Sequence, residues 1–328
     1  MSSLKKLIQN IHRRSVWRVL GIYAVTNLGL LPASAQEPPP APGTGFTVLI
    51  DAAHHNVDRP ESRTAVVEWL EENGYRIRVL DRPVDRAALQ GVDLFISKNP
   101  LSAKNALTPA SPAGEDEERE VAEAWRLPTP SAFSETEITI LRAWVEAGGG
   151  LLLVVDHMPM PGAAEELAGA FGIEASNGFA VHEPSLEGLA AREVARAGGL
   201  VFRRADGSLG DHPFANGRGP AERIDSVVTY AGSAFRLPRD GHSVLTLGPS
   251  TVSLLPDVAW EFAKDTPRET VGGWSQGGVV RWGRGAVAIF GDGAVLVSPG
   301  MVADDDAPLQ NPQFLLNAVH WLSGLIPD

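Results

Sequence analysis

The sequence contains no cysteine in its 328 residues. This absence excludes a disulfide framework, a lipid-modified cysteine, a thiolate metal site and a cysteine nucleophile. A secreted protein of this size can fold without disulfides because its hydrophobic core is large enough. The composition, 44% hydrophobic and 21% charged, is that of an ordinary globular protein.

The sequence also lacks a run of the roughly 20 apolar residues that a membrane-spanning helix needs. The nearest is a shorter stretch at 19–31, which follows five basic residues and no acid and precedes Ala33-Ser34-Ala35. A basic head, a short apolar core and a small-x-small site predict a secretory signal peptide over 1–35, cleaved after Ala35. Retention of this segment as a short anchor is the alternative, and it would be the protein's only contact with a membrane.

Basic residues are too few to balance the acidic ones, with 28 against 40 and a formal net charge of −12. Cleavage of residues 1–35, which carry five cations and no acid, takes this charge to −17. Nucleic acid is excluded as a partner, because binding to phosphates requires a basic surface. We therefore expect an exported protein, periplasmic or extracellular, that binds a small-molecule ligand or another envelope protein.

Well-known catalytic motifs are missing as well. There is no Gly-x-Ser-x-Gly elbow, no His-Glu-x-x-His sequence and no phosphate-binding loop. The glycine-rich stretch at 272–278 is interpreted as a flexible loop, because no strand and helix flank it. The acidic run at 304–306 lacks the spacing of a calcium loop and is interpreted as a solvated turn.

The pattern of apolar residues predicts an α/β fold with a parallel sheet flanked by helices. Residues 36–45 form a proline-rich linker, stiff and unable to pack, before a single domain over 46–324. Strands are predicted at 46–50, 76–80, 92–97 and 151–155, and helices begin at Ser62 and after Ser134. The first strand, helix and second strand make a βαβ unit, and Ser134 with Glu137 forms a capping box.

Residues 99–133 interrupt this pattern with five prolines, an acidic run at 115–118 and a predicted short helix through Trp125. This insertion is either a lid over the strand ends or a solvated surface loop. Further along the chain we predict a helix at 163–171, a β-hairpin at 279–290 and a last helix from Asn311 to Gly324.

Three fragments pair aspartate with histidine, and the first two follow predicted strands of one parallel sheet. Because ligands bind at the carboxyl ends of such strands, we expect the fragments to line one crevice. Imidazole and carboxylate groups suit a divalent metal, and a histidine oriented by an aspartate can act as a general base. The candidate catalytic residues are Asp51, His54, His55, Asp156, His157, Asp211 and His212.

Each of these residues also has a structural interpretation. Asp51 could cap the turn after its strand, and His157 and His212 could bond to loop carbonyls and do nothing else. Among the other histidines, His182 and His242 are expected at the surface. His320, on the last helix, is expected to pack in the core.

Several phrases resemble the class I glutamine-amidotransferase-like superfamily, in particular an uncharacterised branch of exported or membrane-associated bacterial proteins. They are DAAHHN at 51–56, PTPSAFS at 128–134, AGGGLLLVVDH at 147–157, GDHP at 210–213 and the helix at 311–324. The resemblance covers 46–324 and implies a flavodoxin-like fold. True amidotransferases carry a cysteine after a central strand, whereas here Asp156-His157-Met158-Pro159 follows it. Cysteine-dependent glutamine hydrolysis is therefore excluded, and no catalytic role is transferred.

Two functions remain open at this point. The first is a hydrolase-like envelope enzyme that acts on a small polar or carbohydrate-like ligand in an Asp/His-lined cleft, with or without a divalent metal. The second is a non-catalytic ligand-binding or assembly module that keeps the fold and has lost the nucleophile.

Overall fold

The computed structural model describes residues 41–57, 60–106, 123–183, 199–293 and 310–328. All of them belong to one compact unit, Pro40–Asp328. None of the helices within these ranges has the length and hydrophobicity that a membrane span requires. The predicted signal peptide, the acidic runs at 115–118 and 304–306, and Val121 lie outside the described residues.

The described residues form fourteen short strands. The strands are β1 (Thr47–Asp51), β2 (Arg76–Leu80), β3 (Leu94–Lys98), β4 (Gly150–Val154), β5 (Glu174–Ser176), β6 (Phe179–His182), β7 (Leu200–Arg203), β8 (Ser226–Thr229), β9 (Ala234–Arg236), β10 (His242–Thr246), β11 (Thr251–Leu254), β12 (Arg268–Thr270), β13 (Ser275–Trp282) and β14 (Gly285–Phe290).

The described residues also form six α-helices and two short 3-10 helices. The α-helices are α1 (Pro60–Glu72), α2 (Glu135–Glu146), α3 (Met160–Ala163), α4 (Glu165–Gly169), α5 (Pro213–Asn216) and α6 (Asn311–Leu322). The 3-10 helices are Arg204–Asp206 and Pro220–Glu222.

Five strands of the largest sheet are parallel, in the order β2-β1-β3-β4-β14. This order reverses direction between β1 and β3, as in flavodoxin-like folds. Beyond β14 the sheet continues with β13, β9 and β5, each antiparallel to its neighbour, and β10 also pairs with β13. The fold is therefore α/β with a mostly parallel central sheet, consistent with a flavodoxin-like architecture.

Side chains alternate along the parallel strands, so that each face of the sheet has its own apolar core. On one face, Val48, Leu94 and Leu152 pack in a cluster with residues of α1 and α6. On the other face, Leu49 and Leu151 pack in a cluster with residues of α2 and α4. This continuous burial explains why the strands read as unbroken apolar runs.

A third apolar cluster contains residues from outside the nine-stranded sheet. The strands β12, β11 and β6 form a separate antiparallel sheet. Phe179 of β6 packs there with Leu101, which follows β3, and with Trp125 of the insertion. The cluster therefore joins the small sheet to the segment that follows a strand of the parallel sheet.

Several predicted elements are present with small shifts at their ends. The strand at 76–80 is β2, the capping box of Ser134 and Glu137 opens α2, and the hairpin is β13 with β14. The predicted last helix is α6, where Phe314, Leu315, Ala318, Trp321 and Leu322 are buried. The second hairpin strand has a larger role than expected, because it pairs with β4 and completes the parallel part of the sheet.

Three predictions were wrong. The glycine-rich stretch at 272–278 is not only a loop, because its last four residues begin β13 and are buried. The helix predicted at 163–171 is instead two short helices, α3 and α4. The linker was expected not to pack, but its described end is hydrogen-bonded to the domain. The N–H of Gly43 donates to the carbonyl oxygen of Asn73 at 2.8 Å.

Candidate functional site

Polar residues gather at the carboxyl edge of the parallel sheet, where four neighbouring strands end. Asp51 ends β1, Lys98 ends β3, Asp156 follows β4 and the segment 291–293 follows β14. The edge includes the point between β1 and β3 where the strand order reverses. This position is where open α/β sheets usually bind ligands.

Asp51 and His54 form a buried hydrogen-bonded pair at this edge. Nδ1 of the His54 ring lies 2.8 and 2.9 Å from the two carboxylate oxygens of Asp51. The same carboxylate accepts from the hydroxyl of Ser97 at 2.6 Å and from the N–H of Ala53 at 3.0 Å. Asp51 is 3% exposed and His54 5% exposed, so neither faces open solvent.

The second nitrogen of the His54 ring is also bonded to a carboxylate. Nε2 lies 3.1 Å from Oε1 of Glu137, which also accepts the N–H of Val84 at 2.7 Å. The other oxygen of Glu137 accepts the N–H and hydroxyl of Ser134 at 3.0 and 2.8 Å. We call Asp51, His54 and Glu137 the buried clamp. Its third member was predicted only as a capping residue, and its spacing in sequence gave no sign of the contact with His54.

Electrostatics favour the charged form of every member of the buried clamp. Burial by itself would lower the pKa of His54, but the hydrogen bonds and charges of Asp51 and Glu137 outweigh it and raise that pKa. Burial would raise the pKa of Asp51, yet His54 and Ser97 lower it. The pKa of Glu137 is likewise lowered, by hydrogen bonds that outweigh its burial. An imidazolium between two carboxylates has no free lone pair, so in this arrangement His54 cannot act as a base or bind a metal.

Two asparagines join the buried clamp to the rest of the edge. Nδ2 of Asn56 donates to the carbonyl oxygen of Lys98 at 2.9 Å and to Asp51 at 3.3 Å. Oδ1 of Asn99 accepts the N–H of Asp156 at 3.0 Å. Asn99 has a φ of 49°, a conformation that asparagine adopts more readily than most residues. The first two predicted fragments therefore belong to one connected network.

Asp156 is partly exposed and organises the chain around it. Its carboxylate accepts the N–H of His157 at 2.9 Å and the N–H of Gly293 at 3.3 Å. A Cβ atom at Gly293 would lie 2.9 Å from Oδ2 of Asp156 and 3.7 Å from Cε of Lys98. Glycine at this position leaves room between the ends of β3, β4 and β14, and these residues form the polar part of the edge.

His157 is held by one carbonyl group and by aromatic rings. Nδ1 lies 2.7 Å from the carbonyl oxygen of Met158, so Nδ1 carries the proton and the lone pair of a neutral ring lies on Nε2. The ring stacks on Phe179 with centroids 4.6 Å apart and meets Trp260 edge-on at 4.4 Å. No described residue forms a hydrogen bond with Nε2. Nε2 of His157 is therefore a ring nitrogen available for chemistry at this edge of the sheet.

Two tryptophans beside His157 were not predicted as site residues. Trp125 is 7% exposed, its ring centroid lies 5.8 Å from that of His157, and its Nε1 is buried without a partner among the described residues. Trp260 has a φ of 68°, an uncommon conformation for a bulky residue and one that often marks functional sites. The sequence carried a signal only for Trp125, through its place in the insertion.

We call the polar residues Lys98, Asn99, Asp156 and Gly293, together with His157, Trp125 and Trp260, the edge crevice. His55 lies nearby on the β1 loop, exposed and with a φ of 46°. Its side chain takes no part in the buried clamp.

Asp211 and His212 are not part of this crevice, contrary to the expectation that all three fragments meet. The ring of His212 contacts those of His242 and Trp321, with centroids 5.2 and 4.9 Å away. His242 begins β10, five strands from β1, which at roughly 4.8 Å per strand is about 24 Å. His212 caps α5 by accepting the N–H of Phe214 at 3.4 Å, and burial lowers its pKa to about 4. Asp211 is exposed and bonds to Arg204 and Asn216.

The described residues contain no group of three His, Asp, Glu or Cys side chains that could hold a metal ion. A cavity of about 630 Å³ lies elsewhere, where β7 faces residues 246–251, and none of the seven predicted site residues lines it. The divalent metal expected from sequence thus has no preformed ligand set in these parts of the chain.

The fold is α/β with a mostly parallel central sheet flanked by helices, consistent with a flavodoxin-like architecture. The chain is similar to the mmIFT52 N-terminal domain, with a TM-score of 0.52, 12% identity and coverage of 84% of this chain and 97% of that one. A ThuA-like protein from Bacteroides uniformis has a TM-score of 0.41 and 14% identity, and the match covers 89% of this chain and 95% of that one. A cytoplasmic protein from Salmonella typhimurium has a TM-score of 0.45 and 13% identity, and the match covers 84% of this chain and 98% of that one. The sequence matches no protein-family model and no curated protein. At these identities the similarity concerns the fold alone.

Proposed function

We propose that this protein is an exported, hydrolase-like enzyme that acts on a small polar or carbohydrate-like ligand in the edge crevice. The observation that carries the proposal is the state of His157, whose Nδ1 donates to Met158 and whose Nε2 has no bonding partner among the described residues. A histidine that donates through Nδ1 presents Nε2 for general-base chemistry.

Each part of the crevice has a task in this proposal. Nε2 of His157 takes a proton from water or from a ligand hydroxyl, and the ring is kept in place by Phe179 and Trp260. Asp156 aligns the N–H groups of His157 and Gly293 and adds a carboxylate for ligand hydroxyls. Aromatic walls with a few polar groups are a common lining of small-molecule sites.

The proposal is tested by assaying purified protein on a panel of 4-nitrophenyl glycosides and 4-nitrophenyl esters. We expect turnover of at least one compound, and a fall of roughly 100-fold or more in His157→Gln, which lacks the base. The matched control is His182→Gln at an exposed strand end, which should retain the activity. Absence of turnover across the panel, or equal activity in His157→Gln, would contradict the enzyme.

A non-catalytic ligand-binding module is the second candidate, and the buried clamp favours it. Two of the residues predicted to be catalytic, Asp51 and His54, are bonded to each other and to Glu137. In this case the same glycosides and their free sugars should raise the melting temperature without turnover, and His157→Gln should bind them as well as the wild type. Loss of the thermal shift in His157→Gln together with detectable turnover would favour the enzyme.

Export and superfamily membership are part of the proposal. Residues 1–35 support export, and the test is the size and N-terminal residue of the protein recovered from the periplasm of a bacterial host. The shared phrases and the strand order support a class I glutamine-amidotransferase-like protein that lacks the nucleophilic cysteine. A divalent metal, which carboxylate and imidazole groups suit, remains part of the proposal. Trace metal content, with a melting temperature unchanged by chelator, would refute it.

A further inference from the structure

We propose that His54 is a positioning residue that joins the two ends of the segment 99–133 and so holds Trp125 beside His157. This rests on the proposed function, because it assigns the buried clamp to the same edge crevice. The role differs from that expected from sequence, since His54 would act through the backbone and side chains it binds and not on the ligand.

The start of the segment is attached to the backbone of His54. The N–H of Leu101 donates to the carbonyl oxygen of His54 at 2.7 Å. The N–H of Val57, three residues further along the β1 loop, donates to the carbonyl oxygen of Asn99 at 3.0 Å. The chain that leaves β3 is therefore fixed to the loop that leaves β1.

The end of the segment is attached to the side chain of His54. The ring packs on Phe133, with centroids 4.1 Å apart, and Nε2 donates to Glu137 at 3.1 Å. Glu137 in turn accepts the N–H and hydroxyl of Ser134, the residue that begins α2. One residue thus contacts both ends of a segment of about 35 residues, through a hydrogen bond at its start and ring packing at its end.

The two described parts of the segment are also bonded to each other. Nδ2 of Asn105 donates to the carbonyl oxygens of Ala124 and Arg126 at 2.8 and 3.3 Å. Trp125 lies between these two carbonyl groups in the chain, and its ring is one of those that contact His157. The backbone on both sides of Trp125 is therefore bonded to the start of the segment, in addition to the bond that the N–H of Ala259 makes to the carbonyl oxygen of Trp125 at 2.8 Å.

We call the contacts of His54 with Leu101, Phe133, Asp51 and Glu137 the joint. The joint requires a side chain that can donate a hydrogen bond on two opposite sides, because a carboxylate accepts on each side. A protonated imidazole has two N–H groups on opposite sides of its ring, whereas a glutamine amide has both hydrogens on one nitrogen. The charged groups that face the ring are Asp51 and Glu137. Deprotonation removes one donor, so we expect the joint to loosen on the alkaline side.

Hydrogen exchange of the full-length protein without ligand, read by mass spectrometry, tests the proposal. In His54→Gln, peptides from 99–106 and 123–133 should exchange roughly tenfold faster or more, because a hydrogen bond to a charged group is lost. His55→Gln, at the exposed neighbouring position, should leave them unchanged. Leu316→Ala destabilises the opposite face of the sheet and controls for a general loss of stability.

The pH profile separates a joint from general stabilisation. After correction for intrinsic exchange, the same wild-type peptides should lose protection as pH rises above 6.5, and His54→Gln should show no such step. Equal exchange in wild type and His54→Gln, a response matching Leu316→Ala, or the same pH profile in both proteins would overturn the proposal. None of these measurements needs a ligand, so failure of the glycoside and ester panel would refute the proposed function and leave this inference standing.

Discussion

Glu137→Ala should lower the free energy of unfolding by about 4 kcal/mol. The substitution removes four hydrogen bonds, from Val84 N–H, Ser134 N–H, Ser134 hydroxyl and the His54 ring. Removing one partner of a buried charge pair typically costs about 3–5 kcal/mol, because the other charge is left uncompensated. The capping box contributes about 1 kcal/mol to the same helix end, and the two effects overlap.

Urea unfolding followed by circular dichroism measures this loss. The matched control is Glu135→Ala, two residues away on the same helix, where an exposed acid contributes about 0.5 kcal/mol through the helix dipole. Glu137→Gln keeps the shape and loses the charge, so it should fall between the two. A loss below about 1 kcal/mol in Glu137→Ala, or one no larger than in the control, would refute the buried ionic clamp.

The difference between wild type and Glu137→Ala should depend on pH. The lowered pKa values of Asp51 and Glu137 contribute stability above their ordinary values of 3.8 and 4.5, and this is lost as pH falls through their folded values. The raised pKa of His54 contributes stability below 6.5, and this is lost as pH rises through its folded value. The difference should therefore be largest between about pH 4.5 and 6.5, and a difference that is constant from pH 4 to 9 would contradict this account.

Other positions give independent predictions. Gly285→Ala should lower stability by about 2 kcal/mol in urea unfolding, because its Cβ would lie 2.2 Å from the carbonyl oxygens of Gly149 and Val145. Gly169→Ala, where no atom lies within 4 Å of the added Cβ, should raise stability by about 0.5 kcal/mol instead. Burial lowers the pKa of His320 to about 4, so wild type should lose stability as pH falls from 6.5 towards 4 while His320→Leu loses less. An unchanged slope in His320→Leu would contradict the assignment.

Local patterns determined much of the secondary structure. The apolar run at 151–155 specifies a strand buried on both faces, and the pair Ser134 and Glu137 specifies the start of α2, because each signal depends on residues close together in the chain. The prediction of a flexible loop at 272–278 was wrong because it too was based on nearby residues alone. Gly277 lies in β13, where Leu245 of the neighbouring strand and Phe290 of β14 occupy the space that its side chain would need. That requirement comes from strands distant in sequence.

The sequence by itself determined the α/β class, the absence of cysteine chemistry and the placing of Asp51, His54 and Asp156 near strand ends. Only the tertiary structure decided which of these side chains meet. Strand order brings Asp156 beside Asn99 and Gly293. It places His212 beside His242 of β10, five strands from β1. Glu137, 83 residues from His54, turns an expected catalytic dyad into a buried clamp. The pairing of two distant carboxylates around one imidazole depends on how α2 packs on the sheet, and no local pattern of residues encodes that distance.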